Sequence, residues 1–156
     1  MSTKTSIKTG LTKTSAEVLS GRVTEAYKSL GSGDFTLIEP LYADDIYFED
    51  PSHGIQGKAG LMTYFVSMFK NTENCDFKFH QILTSHNDIF MTWTMLLNHR
   101  RLNGGNTIRV DGSSFLKTRN GKIYYHRDYF DMGAMVYENL PILGRLIKKI
   151  RLRLGQ

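Results

Sequence analysis

Up to Lys70 the apolar residues follow a helical period, and from Cys75 onward they alternate. Leu19, Val23, Ala26, Tyr27 and Leu30 recur at helical spacing behind Ser15, Glu17 and Val18, which can open a helix. Gly31-Ser32-Gly33-Asp34 stops it, and Asp34 can cap a second, short helix carrying Leu37, Ile38, Leu41 and Tyr42. Ile46 to Asp50 reads as a short strand ended by Pro51, which cannot donate to a ladder. Past a turn at Gly54–Gly57, Lys58 to Lys70 reads as a third helix with Leu61, Tyr64, Phe65, Met68 and Phe69 on one stripe. Four strands are predicted after that, over 75–85, 89–101, 107–118 and 122–129. Asn103-Gly104-Gly105-Asn106 and Asn120-Gly121 are the hairpin turns between the last three. Helices first and an antiparallel meander afterwards predict an α+β domain with helices closing one side of a sheet.

Composition adds little, but charge changes the picture. The chain has 156 residues, 40% of them hydrophobic and 22% charged, which fits one ordinary globular domain. The net charge of +5 belongs to the two ends. Residues 1–15 carry Lys4, Lys8 and Lys13 without an acid, and residues 142–156 carry Arg145, Lys148, Lys149, Arg151 and Arg153 without an acid. In between, the fifteen acids outnumber the bases. A nucleic-acid partner wants a basic face with interleaved aromatics on the domain, so none is expected. The division is a mobile N-terminal tail over 1–15, a domain over 16–141 and a C-terminal helix over 142–156.

Lone Cys75 excludes an internal disulfide, and His53, His80, His86 and His99 lack ligand spacing, so no metal site is expected. No leader sequence and no apolar run of roughly 18 residues is present, so the expected location is the cytoplasm. After Pro141, Ile142, Leu143, Leu146, Ile147, Ile150 and Leu154 recur at helical spacing among the five bases. That basic amphipathic helix suits either an anionic membrane surface, making the protein peripheral to the bilayer, or docking on the domain with its charges in water.

Two stretches carry a family resemblance. Leu41-Tyr-Ala-Asp-Asp-Ile-Tyr-Phe-Glu-Asp50-Pro51, with Gly33-Asp34 before it and Gly57-Lys58 after it, resembles ketosteroid isomerase. Gly121-Lys-Ile-Tyr-Tyr-His-Arg-Asp128-Tyr-Phe-Asp131 is similar to the last strand of limonene epoxide hydrolase and to polyketide-cyclase-like relatives. Together they place the chain with the nuclear transport factor 2-like superfamily, in its SnoaL-like, ketosteroid isomerase-like branch. The resemblance implies a cone-shaped, curved antiparallel sheet packed against three N-terminal helices around a pocket.

It also implies site residues. Asp50 stands where the isomerases carry a general base, which burial can raise toward a useful proton affinity. The bland alternative is that Asp50-Pro51 only ends a strand and opens a turn. Tyr27 falls near the tyrosine of the oxyanion hole, and Ser113 takes the place of its acid, with Asp111 two residues away. Asp128 matches one acid of the epoxide hydrolases, but their Arg and second Asp fall on Thr94 and Leu96, so epoxide hydrolysis is not expected. Alternation puts His126, Asp128 and Phe130 on one face, where His126 beside a carboxylate is either a proton carrier or a sheet-end hydrogen-bond pair. The expected catalytic set is Asp50, Asp128, His126 and Tyr27, and the expected ligand-lining set is Phe48, Phe65, Thr94, Leu96, Ser113 and Phe130.

Met91, Trp93 and Met95 then fall on the outer face, where with Leu97 they suit either a homodimer interface or core against an end helix. The function implied is cofactor-free proton transfer on a hydrophobic carbonyl or polyketide-like compound. The alternatives are a non-catalytic ligand-binding protein or a membrane-surface accessory protein using the same fold.

Overall fold

The computed structural model describes residues 13–154. The N-terminal tail falls outside the described residues except for its last three, and residues 155–156 of the C-terminal helix fall outside too. Helix α1 (Ser15–Lys28) starts on a capping box: Thr14 Oγ1 accepts from the Glu17 N–H at 3.2 Å, and Glu17 Oε2 accepts from the Thr14 N–H at 2.7 Å. Its predicted stripe is its buried face, with Leu19, Val23, Ala26 and Tyr27 all in the core.

The second predicted helix does not form. Only a single 3-10 turn, Glu39–Leu41, is present, and Tyr42 opens strand β1 (Tyr42–Glu49) instead. Pro40 explains this, because it lacks the N–H that a helix through Leu41 and Tyr42 would need. Gly54–Gln56 pairs with the end of β1 as a short strand, β2. Helix α2 (Lys58–Phe69) follows, burying Leu61 and Phe65.

The meander is β3 (Thr72–Ser85), β4 (Asp88–His99), β5 (Ile108–Arg119) and β6 (Lys122–Phe130). Asn120 and Gly121 both have positive φ, 53° and 71°, as the tight turn between β5 and β6 requires. The six strands lie in the order β2-β1-β6-β5-β4-β3. All neighbours are antiparallel except β1 and β6, which run parallel, so the sheet is mixed rather than purely antiparallel. Register shifts within β1–β6, β3–β4 and β5–β6 are the kind of irregularity that bends a sheet, here around α1 and α2. After β6 come a short helix α3 (Met132–Met135), a 3-10 turn at Tyr137–Asn139, and α4 (Leu143–Leu154). The fold is the α+β cone expected.

The faces of β4 are the reverse of those expected. Met91, Trp93, Met95 and Leu97 are buried in the core against α1 and β3, so they are not an outer stripe. Thr94, Leu96 and, on β5, Ser113 belong to the other face of the sheet. Thr94 Oγ1 donates there to Asp111 Oδ1 at 2.5 Å and lies 2.8 Å from His80 Nε2. Gly112 makes the inward placement of Trp93 possible. It sits directly across the ladder from Trp93, and a Cβ on it would lie 2.4 Å from the indole ring.

Candidate active site

The concave side of the sheet holds a chamber of about 50 Å³. Its wall draws Tyr27 from α1, Phe48 and Asp50 from β1 and its end, and Tyr64 and Phe65 from α2. The sheet adds Trp93, Met95, Asp128 and Phe130. Two clefts adjoin it, of about 180 and 290 Å³; Met68 and Met135 line all three spaces. A water needs only ~10–15 Å³ of such space, whereas a drug-sized ligand fills ~300 Å³ or more. The chamber by itself therefore accommodates one small end of a ligand, and the larger cleft over Ser52, His53 and Met132 can take the rest.

Behind the wall runs an unbroken chain of hydrogen bonds. Trp93 Nε1 donates to Ser114 Oγ at 2.9 Å, and Ser114 Oγ donates to Asp128 Oδ1 at 2.5 Å. His126 Nε2 meets the same Oδ1 at 2.8 Å, and His126 Nδ1 lies 2.9 Å from the Tyr42 hydroxyl. Tyr42 in turn lies 3.0 Å from the Tyr27 hydroxyl. A carboxylate only accepts, so a neutral His126 carries its proton on Nε2 and accepts from Tyr42 at Nδ1, and Tyr42 accepts from Tyr27. In that polarity the Tyr27 proton is committed inside the protein, and its oxygen presents lone pairs to the chamber. Protonation of His126 reverses the run: Nδ1 donates to Tyr42, Tyr42 to Tyr27, and the Tyr27 proton is freed toward the chamber. Burial above all, with the neighbouring hydroxyl and Asp128, raises the Tyr27 pKa well above its ordinary value. Burial likewise raises that of Tyr42. Both remain hydroxyls.

Asp128 has one oxygen in use. Oδ1 takes the bonds from Ser114 and His126, while Oδ2 accepts none from the described residues. Asp50 is its opposite. Burial pushes its carboxyl up, but the donors around it outweigh that and hold it below the usual carboxylate range. Tyr64 donates to Oδ2 at 2.5 Å, and Oδ1 accepts from the N–H groups of Ser52 and His53 at 2.7 Å each. The His53 ring adds a contact at 3.1 Å. The proton affinity expected of Asp50 as a buried base is thus lowered, not raised. Burial and the bond to Asp50 raise the Tyr64 pKa, keeping it a donor.

Of the expected residues, the structure brings Asp50, Asp128 and Tyr27 to one chamber, with His126 bonded directly behind. Phe48, Phe65 and Phe130 line it as well. Thr94, Leu96 and Ser113 lie across the sheet and are not at this site. Tyr42, Tyr64, Trp93, Met95 and Ser114 were not among the expected site residues. For Tyr42 and Tyr64 the signal was available: each is a polar-tipped aromatic on a buried stripe, which calls for a partner for its hydroxyl. Among the described residues, no group of three or more His, Cys, Asp or Glu side chains is placed to hold a metal ion.

A curved mixed sheet closed by helices is the α+β cone of the nuclear transport factor 2-like fold. Solved structures of that shape align closely. An NTF2-like protein from Anabaena variabilis superposes with a TM-score of 0.68 at 14% identity, covering 78% of this chain and 96% of its own. A protein with a ketosteroid isomerase-like fold from Catenulispora acidiphila, solved with trimethylamine, gives 0.67 at 15% identity, covering 77% and 93%. An LEH-like epoxide hydrolase from M. tuberculosis gives 0.64 at 21% identity, covering 89% and 98%. At these identities the likeness is one of fold. No curated protein matches the sequence. The model of the SnoaL-like domain matches residues 23–126, more than half of the chain, and the protein belongs to that family.

Proposed function

We propose that the chamber receives the carbonyl end of a hydrophobic, polyketide- or steroid-like compound and that Asp128 moves a proton on it without a cofactor. One observation carries this reading: Asp128 lines the chamber and is anchored through Oδ1, with no partner for Oδ2 among the described residues, while both oxygens of Asp50 are engaged. An anchored carboxylate with one free oxygen in an apolar wall is the arrangement a general base needs. The base is thereby moved from Asp50, the sequence expectation, to Asp128. His126 and Ser114 hold its orientation, and Tyr27 meets the ligand oxygen as a donor when His126 is protonated. Asp50 and Tyr64 form a fixed polar lip where the chamber meets the larger cleft.

The test is hydrogen–deuterium exchange at the carbon next to the carbonyl, followed by proton NMR in heavy water over a panel of slender fused-ring ketones. Wild-type protein should accelerate exchange of at least one member, and Asp128→Asn should bind it yet exchange it about 10²–10⁴-fold more slowly. Asp50→Asn should keep most of the rate. Binding with no acceleration by wild-type protein would leave a ligand-binding protein without this chemistry.

A further inference from the structure

Helix α4 is tied to the domain by a narrow, polar contact. Gly144, its one buried residue, lies so close to the turn at Tyr137–Asn139 that a Cβ would sit 2.1 Å from the Glu138 carbonyl oxygen. Arg151 reaches back to Asp131 and to Glu138, at 2.7 Å each. Apart from half-buried Ile147, the apolar residues are not the docked ones. Leu146 is 57% exposed, Ile150 49% and Leu154 82%. The sequence offered docking with the charges in water; the contact found instead uses one of those charges and leaves the apolar stripe in water.

From this geometry we propose that α4 is a docking helix for an anionic phospholipid surface. Leu143, Leu146, Ile150 and Leu154, three or four residues apart, share one face of the helix. Arg145, Lys149 and Arg153, each four apart, form a basic ridge beside it, and none of them has an acidic partner among the described residues. An apolar stripe flanked by unpaired cations matches the boundary between anionic headgroups and acyl chains. A nucleic acid would satisfy the ridge alone and leave the stripe hydrated. Twelve residues span about 18 Å, well short of a ~30 Å hydrocarbon core, so the helix lies along the surface. No helix among the described residues is long and apolar enough to cross a membrane. The turn that holds α4 packs on α3, whose Met135 lines the chamber, so two short elements link the helix to the chamber wall. The docking claim stands apart from the chemistry proposed for that chamber.

Vesicle sedimentation decides it. Full-length protein should pellet with vesicles of phosphatidylglycerol and phosphatidylcholine, remain in the supernatant with phosphatidylcholine alone, and release as salt is raised toward ~0.5 M. The exposed-site variants Leu146→Ser/Ile150→Ser and Lys149→Glu/Arg153→Glu keep the Arg151 clamp and should fold normally by circular dichroism. Each should lower the partition coefficient about tenfold or more. Wild-type protein that ignores anionic vesicles at low salt overturns the proposal. So does loss of binding by the charge variant alone, which would make the ridge a site for a soluble polyanion. So does a dimer that only the Leu146→Ser/Ile150→Ser variant dissociates, which would make the stripe a contact between copies.

Discussion

The Tyr42 hydroxyl lies 2.9 Å from Nδ1 of His126, and the two rings are nearly parallel, with 9° between their planes. Tyr42→Phe keeps the ring and removes the hydroxyl, so a buried Nδ1 and the buried hydroxyl of Tyr27 both lose their partner. Leaving such groups unsatisfied costs about 1–3 kcal/mol. The urea midpoint of Tyr42→Phe should fall by the corresponding amount with an unchanged slope. A midpoint equal to wild type would mean that water replaces the hydroxyl and that the chain is not structural.

Asp50 gives the stability a pH dependence whose sign is fixed by its surroundings. Its folded-state pKa lies below that of an unfolded aspartate, which is about 3.9. The stabilisation is therefore fully present above that value and is lost as pH falls through the lower, folded one. Thermal melts of wild-type protein should drop steeply from about pH 5 to pH 2, and those of Asp50→Asn should start lower at neutral pH and drop less. Parallel curves for the two proteins would contradict the bonding described around this carboxylate.

Gly112 gives the Trp93 indole its seat. In Gly112→Ala the new methyl group would overlap the ring, and overpacking of that kind costs about 1–3 kcal/mol. The melting temperature should fall by several degrees, and any ligand of the chamber should bind more weakly because the ring is pushed toward it. An unchanged melting temperature would place the indole elsewhere in solution.

The outer face of the sheet is where a second copy of this chain is expected to pack. The residues concerned differ from the Met and Trp stripe of the sequence reading. Leu83, Phe90 and Phe115 lie side by side across β3, β4 and β5, and the first two are exposed. Sedimentation equilibrium should give a dimer at micromolar concentration, weakened by about tenfold or more in Phe90→Glu. A wild-type monomer would end that reading.

The sequence conveyed the elements better than their faces. Alternation along β6 put His126 and Asp128 on one wall, and the structure bonds them. Along β4 alternation separates two faces but does not say which is inward, and Thr94 is as buried as the core because Asp111 and His80 cover it. Phe90 and Leu96 on the outer face are as apolar as the residues of the inner one, so period two alone could not assign the faces. Tyr42 was lost to a helical pattern running through Pro40, a local signal that was there to be read. The contact of Tyr64 with Asp50 is different in kind. It joins α2 to the end of β1 through the closing of the sheet, and no local pattern encodes it.

The chain has a single tryptophan, and Trp93 is built into the chamber wall, bonded through Ser114 to the carboxylate proposed to do the chemistry. Its emission therefore reports from one place only. A molecule entering the chamber changes the polarity at the indole, so occupancy can be followed as a spectral shift on unlabelled protein, before any turnover assay exists.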